Sequence, residues 1–319
     1  MYDMNEITLT VDPHLNEGDT TFHSITKALD SIDSSFDGKV VISIAPGVYE
    51  ERVEIWRSNV HLVGKGRFAS DTVITMSYGA FDIMEDGSKR GTFRSYTMLI
   101  AASDVSLDHL SVENNSGEPL KRGQAIALYA DGDNIRVTDC RLIGRQDTLF
   151  TGPLPPKEIQ PGGFIGPLQN APRVNGHQYY KQCFISGDVD FIFGSASATF
   201  DDCYIESVCH VPSKKETDTI QGYVTAPSTP EGQEEGYVFL HCSFICRGLM
   251  PRTVYLSRPW RNFAQAHFED CMIGEHIRDE GFHDWNKTEA RETVKYTVKN
   301  CYRPAGEPFR ALAPFAENL

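Results

Sequence analysis

Six ten-residue strings recur along this chain with one internal pattern: VSLDHLSVEN from Val105, IRVTDCRLIG from Ile135, QYYKQCFISG from Gln178, ATFDDCYIES from Ala198, VFLHCSFICR from Val238 and AHFEDCMIGE from Ala266. Each holds an apolar pair, a polar residue, usually Cys, and then a second short apolar strand. The cysteines fall at 140, 183, 203, 242, 271 and finally 301, separated by 43, 20, 39, 29 and 30 residues. Intervals this irregular suit coils of roughly twenty-odd residues joined by loops of unequal length. A unit so short cannot bury its own apolar face and must stack on its neighbours, which is the construction of a solenoid. The expected fold is all-β: a right-handed parallel β-helix whose cysteines stack inward in register as small apolar residues.

One helix precedes the strands. Thr20 or Thr21 can cap a segment that places Phe22, Ile25, Ala28, Leu29 and Ile32 on one face, forming a short N-terminal cap. After it, Val40 to Ile55 is rich in Val, Ile and Tyr, with Pro46-Gly47 as the turn between two short strands. The repeats then run with few breaks, which favours a single domain over residues 1–319. The largest break, 151–176, carries eleven prolines and glycines in 26 residues and reads as a functional loop. The segment from Pro304 is expected to pack back along the solenoid, and a β-helix capped at both ends is expected to be a monomer.

Composition narrows the partners. Hydrophobic residues at 40% and charged residues at 23% describe a chain able to bury a core. Lys plus Arg number 30 against 44 Asp plus Glu, a net charge of −14 spread along the chain, so nucleic acid is a poor partner. No stretch reaches the length of apolar residues that a membrane span needs. The N-terminus has neither the basic nor the apolar region of a signal peptide, which places the protein in the cytoplasm if Met1 is its natural start. Eight cysteines fit neither zinc spacing nor a redox pair, the nearest neighbours being Cys203 with Cys209 and Cys242 with Cys246, and they read as buried structural thiols.

The chain has no GxSxG elbow, HExxH helix, P-loop or GxGxxG after a strand. Three polar sites do stand out inside strongly β-forming surroundings, where a lone charge is costly. Gln124 opens the apolar run Ala125 to Leu128; the plainer account is an edge glutamine or a ladder inside the coil. Gln146-Asp147 precedes Thr148-Leu149-Phe150, where an Asx turn at a strand end is the plainer account. Asp190 is followed by Phe191, Ile192 and Phe193 and needs a cation. Arg258, in Tyr255-Leu256-Ser257-Arg258-Pro259-Trp260, can hold a carboxylate by two parallel hydrogen bonds, and Trp260 offers a flat face for a sugar.

Taken in order, these strings resemble the signature motifs of the pectin methylesterase family, carbohydrate esterases built on a parallel β-helix. The segment Thr21 to Ile32 is similar to the family's F-T-I-x-x-A-I helix, and Gly47-Val48-Tyr49-Glu50-Glu51 to its G-x-Y-x-E turn. Gly281-Phe282-His283-Asp284-Trp285 resembles its closing G-W-x-x-W strand, with Phe282 in place of the first tryptophan. The resemblance covers roughly residues 7 to 303. It implies hydrolysis of methyl esters of polygalacturonate to free carboxylate and methanol. Asp190 would be the nucleophile, Asp147 the general acid and then base, and Gln124 and Gln146 the oxyanion donors. Arg258 would anchor Asp190, while Thr92, Arg258 and Trp260 would contact the substrate, methylated homogalacturonan or oligogalacturonides. No metal or organic cofactor is implied. The family is mostly secreted, which sets it against the missing signal peptide.

Three positions and one segment length depart from the pattern. Ser257 stands where Gly is usual, tolerable if its φ is negative. Asp188 stands where a small hydroxyl residue is usual, and Pro227 where glutamine is frequent. The stretch from Asp147 to Asp190 is longer by about the Pro/Gly-rich loop. The net charge would repel a fully de-esterified polymer and tolerate a methylated stretch or a short oligomer. Rival readings are a polygalacturonase or a pectate lyase, which lack their Gly-His-Gly or calcium-binding acids here, and a pectin-binding solenoid without chemistry, which would have no use for a paired nucleophile and acid.

Overall fold

The computed structural model describes residues 6–209 and 220–319, and nearly all of their regular structure is strand. The strands form three sheets of twelve, eight and seven members, here sheets I, II and III. The first full coil contributes Lys39–Ile44 to sheet I, Gly47–Tyr49 to sheet II and Val53–Ile55 to sheet III. Val40 to Ile55 therefore makes three strands where the sequence suggested two, because a second corner at 50–52 carries no Pro or Gly to mark it. Coil-to-coil pairing is parallel and in register, as in Val40↔Val60, Val60↔Val105 and Leu107↔Val137. The product is a parallel β-helix.

Each repeated string spans the corner between sheets I and II. The turn takes two residues. The first adopts a left-handed backbone (His109, Asp139, Gln182, Asp202, His241, Asp270, Asn300; φ 48–55°), a conformation that Asp, Asn and His enter more readily than most residues. The second points inward and is buried: Leu110, then Cys140, Cys183, Cys203, Cys242, Cys271 and Cys301. Cys246 is exposed and Cys209 half-buried, so these two stand outside the stack and outside the expectation of uniformly buried thiols. Beside the cysteines, Tyr180, Phe200, Phe239 and Phe268 stack nearly parallel at 4.8, 4.6 and 4.9 Å between ring centroids. That spacing is the distance between neighbouring strands, so register itself aligns the rings.

Both ends are closed by local chain. The N-terminal helix runs Ile25–Asp30 and is capped by Ser24, whose hydroxyl accepts from Lys27 N at 3.3 Å. Thr20 and Thr21 are not the cap; Thr21–Phe22 is an edge strand of sheet I. The decisive partner is Glu51, whose carboxylate accepts from Ile25 N and Thr26 N at 2.9 Å and from the Ser24 and Thr26 hydroxyls at 2.7 Å. A carboxylate there satisfies the free N–H groups of the first turn. At the other end, Phe309, Ala311 and Ala313 are buried and Ala316–Asn318 pairs parallel with Lys295–Lys299. The segment after Pro304 thus adds a last rung to sheet I and closes the end of the β-helix instead of running back along it. No helix among the described residues is long and apolar enough to cross a membrane.

Candidate active site

Sheet III carries the site. Its strands lie in the order Val53–Ile55, Met98–Ile100, Leu128–Ala130, Leu149–Thr151, Val189–Gly194, Gly222–Pro227 and Val254–Ser257. Leu128 pairs with Leu149 and Leu149 with Ile192, so the residues just before these strands arrive side by side from successive coils. Asp147 and Asp190 occupy matching places two residues before Leu149 and Ile192. Both have a left-handed backbone, φ 65° and 50°. At Asp190 the register shifts between Val189 and Ile192, a bulge that spends an extra residue and turns the carboxylate outward. Gly187 permits this crowding, since a Cβ there would come 2.2 Å from that of Phe191.

A cleft of about 370 Å³ opens over these residues, and Thr92, Gln124, Gln146, Asp147, Asp190, Arg258 and Trp260 all line it. Arg258 Nε and Nη2 donate to the two Asp190 oxygens at 2.8 and 2.7 Å. Its guanidinium lies between the Tyr223 and Trp285 rings, 3.7 Å from each centroid. Neither Gln124 nor Gln146 uses its side-chain amide in a hydrogen bond among the described residues, which leaves both free to donate into the cleft. Thr92 sits in a short turn, Thr92–Arg94, entered through Gly91 at φ 74°. No group of three or more His, Cys, Asp or Glu among the described residues is placed to hold a metal ion.

The two carboxylates are 8% and 7% exposed, yet their surroundings differ. Burial, then the charge of Asp190, push Asp147 well above the usual carboxylate range, with Arg258 opposing. Asp190 is also raised by burial, but the charge and hydrogen bonds of Arg258 pull against it directly. Among the described residues Asp147 makes no ion pair, so the site's first ionisation belongs to the clamped Asp190 and the remaining proton to Asp147.

Residues 14–153 and 173–308 match the sequence profile of the pectinesterase family. The chain belongs to that family. It is 30% identical to pectinesterase QRT1 of Arabidopsis thaliana over 301 residues, 93% of this chain and 70% of the relative. To pectinesterase 31 of the same plant it is 28% identical, over 90% and 81% of the two chains. A pectin methylesterase solved in complex with a hexasaccharide superimposes with a TM-score of 0.78 at 26% identity, covering 98% of this chain and 92% of the other. Pectin methylesterase PemA from Erwinia chrysanthemi gives 0.77 at the same identity and coverage. The protein is thus a carboxylic ester hydrolase that acts on methylated pectin.

In this pectinesterase the departures find local explanations. Ser257 lies within a strand and is absent from the positive-φ positions, so its Cβ is accommodated. Asp188 does not face the cleft; it is fully buried behind the aspartates and meets Arg145 Nε at 2.9 Å. Pro227 ends its strand and accepts from Trp260 N at 3.0 Å, while Ala226 lines the cleft in its vicinity. The loop between 151 and 176 supplies Ile159, Gln160, Gly163 and Phe164 as one wall. Trp285, Arg261 and Tyr223 were not assigned to the site from sequence. Trp285 carried the one available signal, as the aromatic residue ending the closing motif.

Proposed function

We propose that this pectinesterase works through an aspartyl acyl-enzyme. An Asp190 oxygen attacks the C6 ester carbonyl of a methylated galacturonate, and the Gln124 and Gln146 amides donate to the developing oxyanion. Asp147 gives its proton to the departing methoxy group, so methanol leaves and a mixed anhydride with Asp190 remains. Asp147, now a carboxylate, takes a proton from water as that water attacks the anhydride. Asp190 is released as carboxylate, Asp147 is protonated again, and the product is the free acid. Trp260 and Thr92 hold the sugar. The observation that carries this reading is the two-pronged clamp of Arg258 on Asp190 beside an Asp147 without an ion-pair partner among the described residues.

The substrate on this reading is methylated homogalacturonan or its oligomers, supported by the relative solved with a hexasaccharide. The continuous ladder of coils supports treating the chain as a single domain. The test is methanol release from highly methylated pectin by the wild type and by Asp190→Ala and Asp147→Ala, with reducing ends and unsaturated products assayed alongside. Methanol from the wild type alone is expected. Activity retained by Asp190→Ala would reject its role as nucleophile, and activity retained by Asp147→Ala would reject its role as acid and base.

A further inference from the structure

We propose that Lys287 is a positioning residue of the active site: it latches the hook carrying Trp285 onto the turn carrying Trp260 and sets a positive charge beside Asp190. The hook is an unusual piece of backbone. Trp285 and Asn286 are consecutive left-handed residues, φ 56° and 58°, in a region side chains with a Cβ rarely adopt. Asp284 braces it, accepting from Asn286 N at 2.8 Å through its side chain and from Lys287 N at 3.0 Å through its carbonyl. Arg291 holds that same carboxylate by two bonds, 2.8 and 2.5 Å.

From this hook the Lys287 ammonium reaches across to donate to Pro259 O at 2.7 Å and Trp260 O at 3.1 Å, and it lies 4.7 Å from the centre of the Trp285 ring. Trp285 and Trp260 both line the cleft, and Trp285 is one of the two faces that hold Arg258 on Asp190. One side chain therefore joins two cleft walls that the chain order sets 25 residues apart. The charged groups facing it are Arg261, Arg258, Glu289 and Asp190. Burial, then Arg261 and Arg258, push the ammonium down to about 8 against the pull of Glu289 and Asp190, so it is protonated at neutral pH. Its charge in turn favours the ionised form of Asp190.

The proposal rests on Asp190 being the nucleophile, and its test separates the two ideas. Methanol release is measured across pH for wild type, Lys287→Met, Lys287→Gln and Lys287→Arg, with thermal midpoints recorded for each. Lys287→Met is expected to raise KM several-fold with a smaller change in kcat, and to move the acid limb of kcat/KM to higher pH. Lys287→Gln keeps a donor for the carbonyls without the charge, so it moves the limb while holding KM nearer to wild type. Lys287→Arg restores both. An acid limb unmoved in both neutral variants would overturn the proposal, as would a lowered thermal midpoint with KM and limb unchanged. Should Lys287→Met not fold, the Gln and Arg variants decide. Activity retained by Asp190→Ala would reject the nucleophile instead.

Discussion

Arg258 meets its partners with planar geometry on three sides: two carboxylate oxygens at its edge and an aromatic ring on each face. A lysine keeps the charge and loses both the fork and the stacking. Arg258→Lys should therefore lower kcat/KM on the order of a hundredfold by misplacing the nucleophile, and should move the acid limb upward because Asp190 is held less firmly in its ionised form. A pH series of methanol release checks both. Asp147 makes a different prediction, about stability. Its carboxyl is raised far above its unfolded value, so between those values the native state binds the proton and the unfolded state does not. Stability then falls as pH rises above about 4, the unfolded value. Asp147→Asn removes that loss. The variant should be inactive yet have a higher thermal midpoint than wild type at pH 7, with the advantage shrinking toward pH 4. A midpoint difference that stays constant with pH would mean that Asp147 is not the protonated member of the pair.

Phe239 is the clearest probe of how the stacked strands contribute to stability. It lies between Phe200 and Phe268 in the stack and also meets Phe244 edge-on at 5.6 Å. Phe239→Ala should cost about 3–5 kcal/mol, measured by denaturant unfolding. Asp202→Val should also destabilise, by roughly 1–2 kcal/mol, because a β-branched residue is forced to φ 54° at a corner. These corners were legible in the sequence because successive coils repeat them: an apolar pair, a polar residue, then an inward residue that is Leu110 once and Cys thereafter. The strings around Gln124, Asp147, Asp190 and Arg258 were legible for a related reason, since each places a polar group against a strand whose apolar pattern is local. What stayed hidden arises between coils. Ser24 caps the helix because Glu51, from the next coil, is there to meet it. Asp188 could have faced the cleft as far as its own neighbours show, and it is Arg145, 43 residues earlier, that holds it behind. Trp285 and Lys287 depend on a hook that contains no glycine, and although Asp284 and Asn286 are turn formers, nothing local marks Trp285 as left-handed.

At the scale of the whole molecule, charge is arranged against its surroundings. The chain carries −14, yet the cleft is bordered by Arg258, Arg261 and the nearby Lys287. A highly methylated pectin brings few charges and meets this field almost as a neutral polymer. A sparsely methylated one is a polyanion, repelled at long range by the body of the enzyme, although Arg258 and Arg261 stand in the cleft lining beside the two aspartates. Salt screens interactions beyond about 8–10 Å at 0.10–0.15 M and leaves close, partly buried contacts nearly intact. Raising ionic strength should therefore weaken the long-range repulsion more than the contacts inside the cleft. The expected outcome is that kcat/KM on sparsely methylated pectin rises between low and physiological salt, while kcat/KM on highly methylated pectin changes little, both read as initial rates of methanol release. The effect should lie in association and so in KM, because charge steering acts on encounter and not on the chemical step. Each ester hydrolysed adds a negative charge to the polymer, so the long-range repulsion grows as de-esterification proceeds. A fall in kcat/KM with salt on the sparsely methylated substrate would instead mean that the cations beside the cleft govern encounter and the net charge does not.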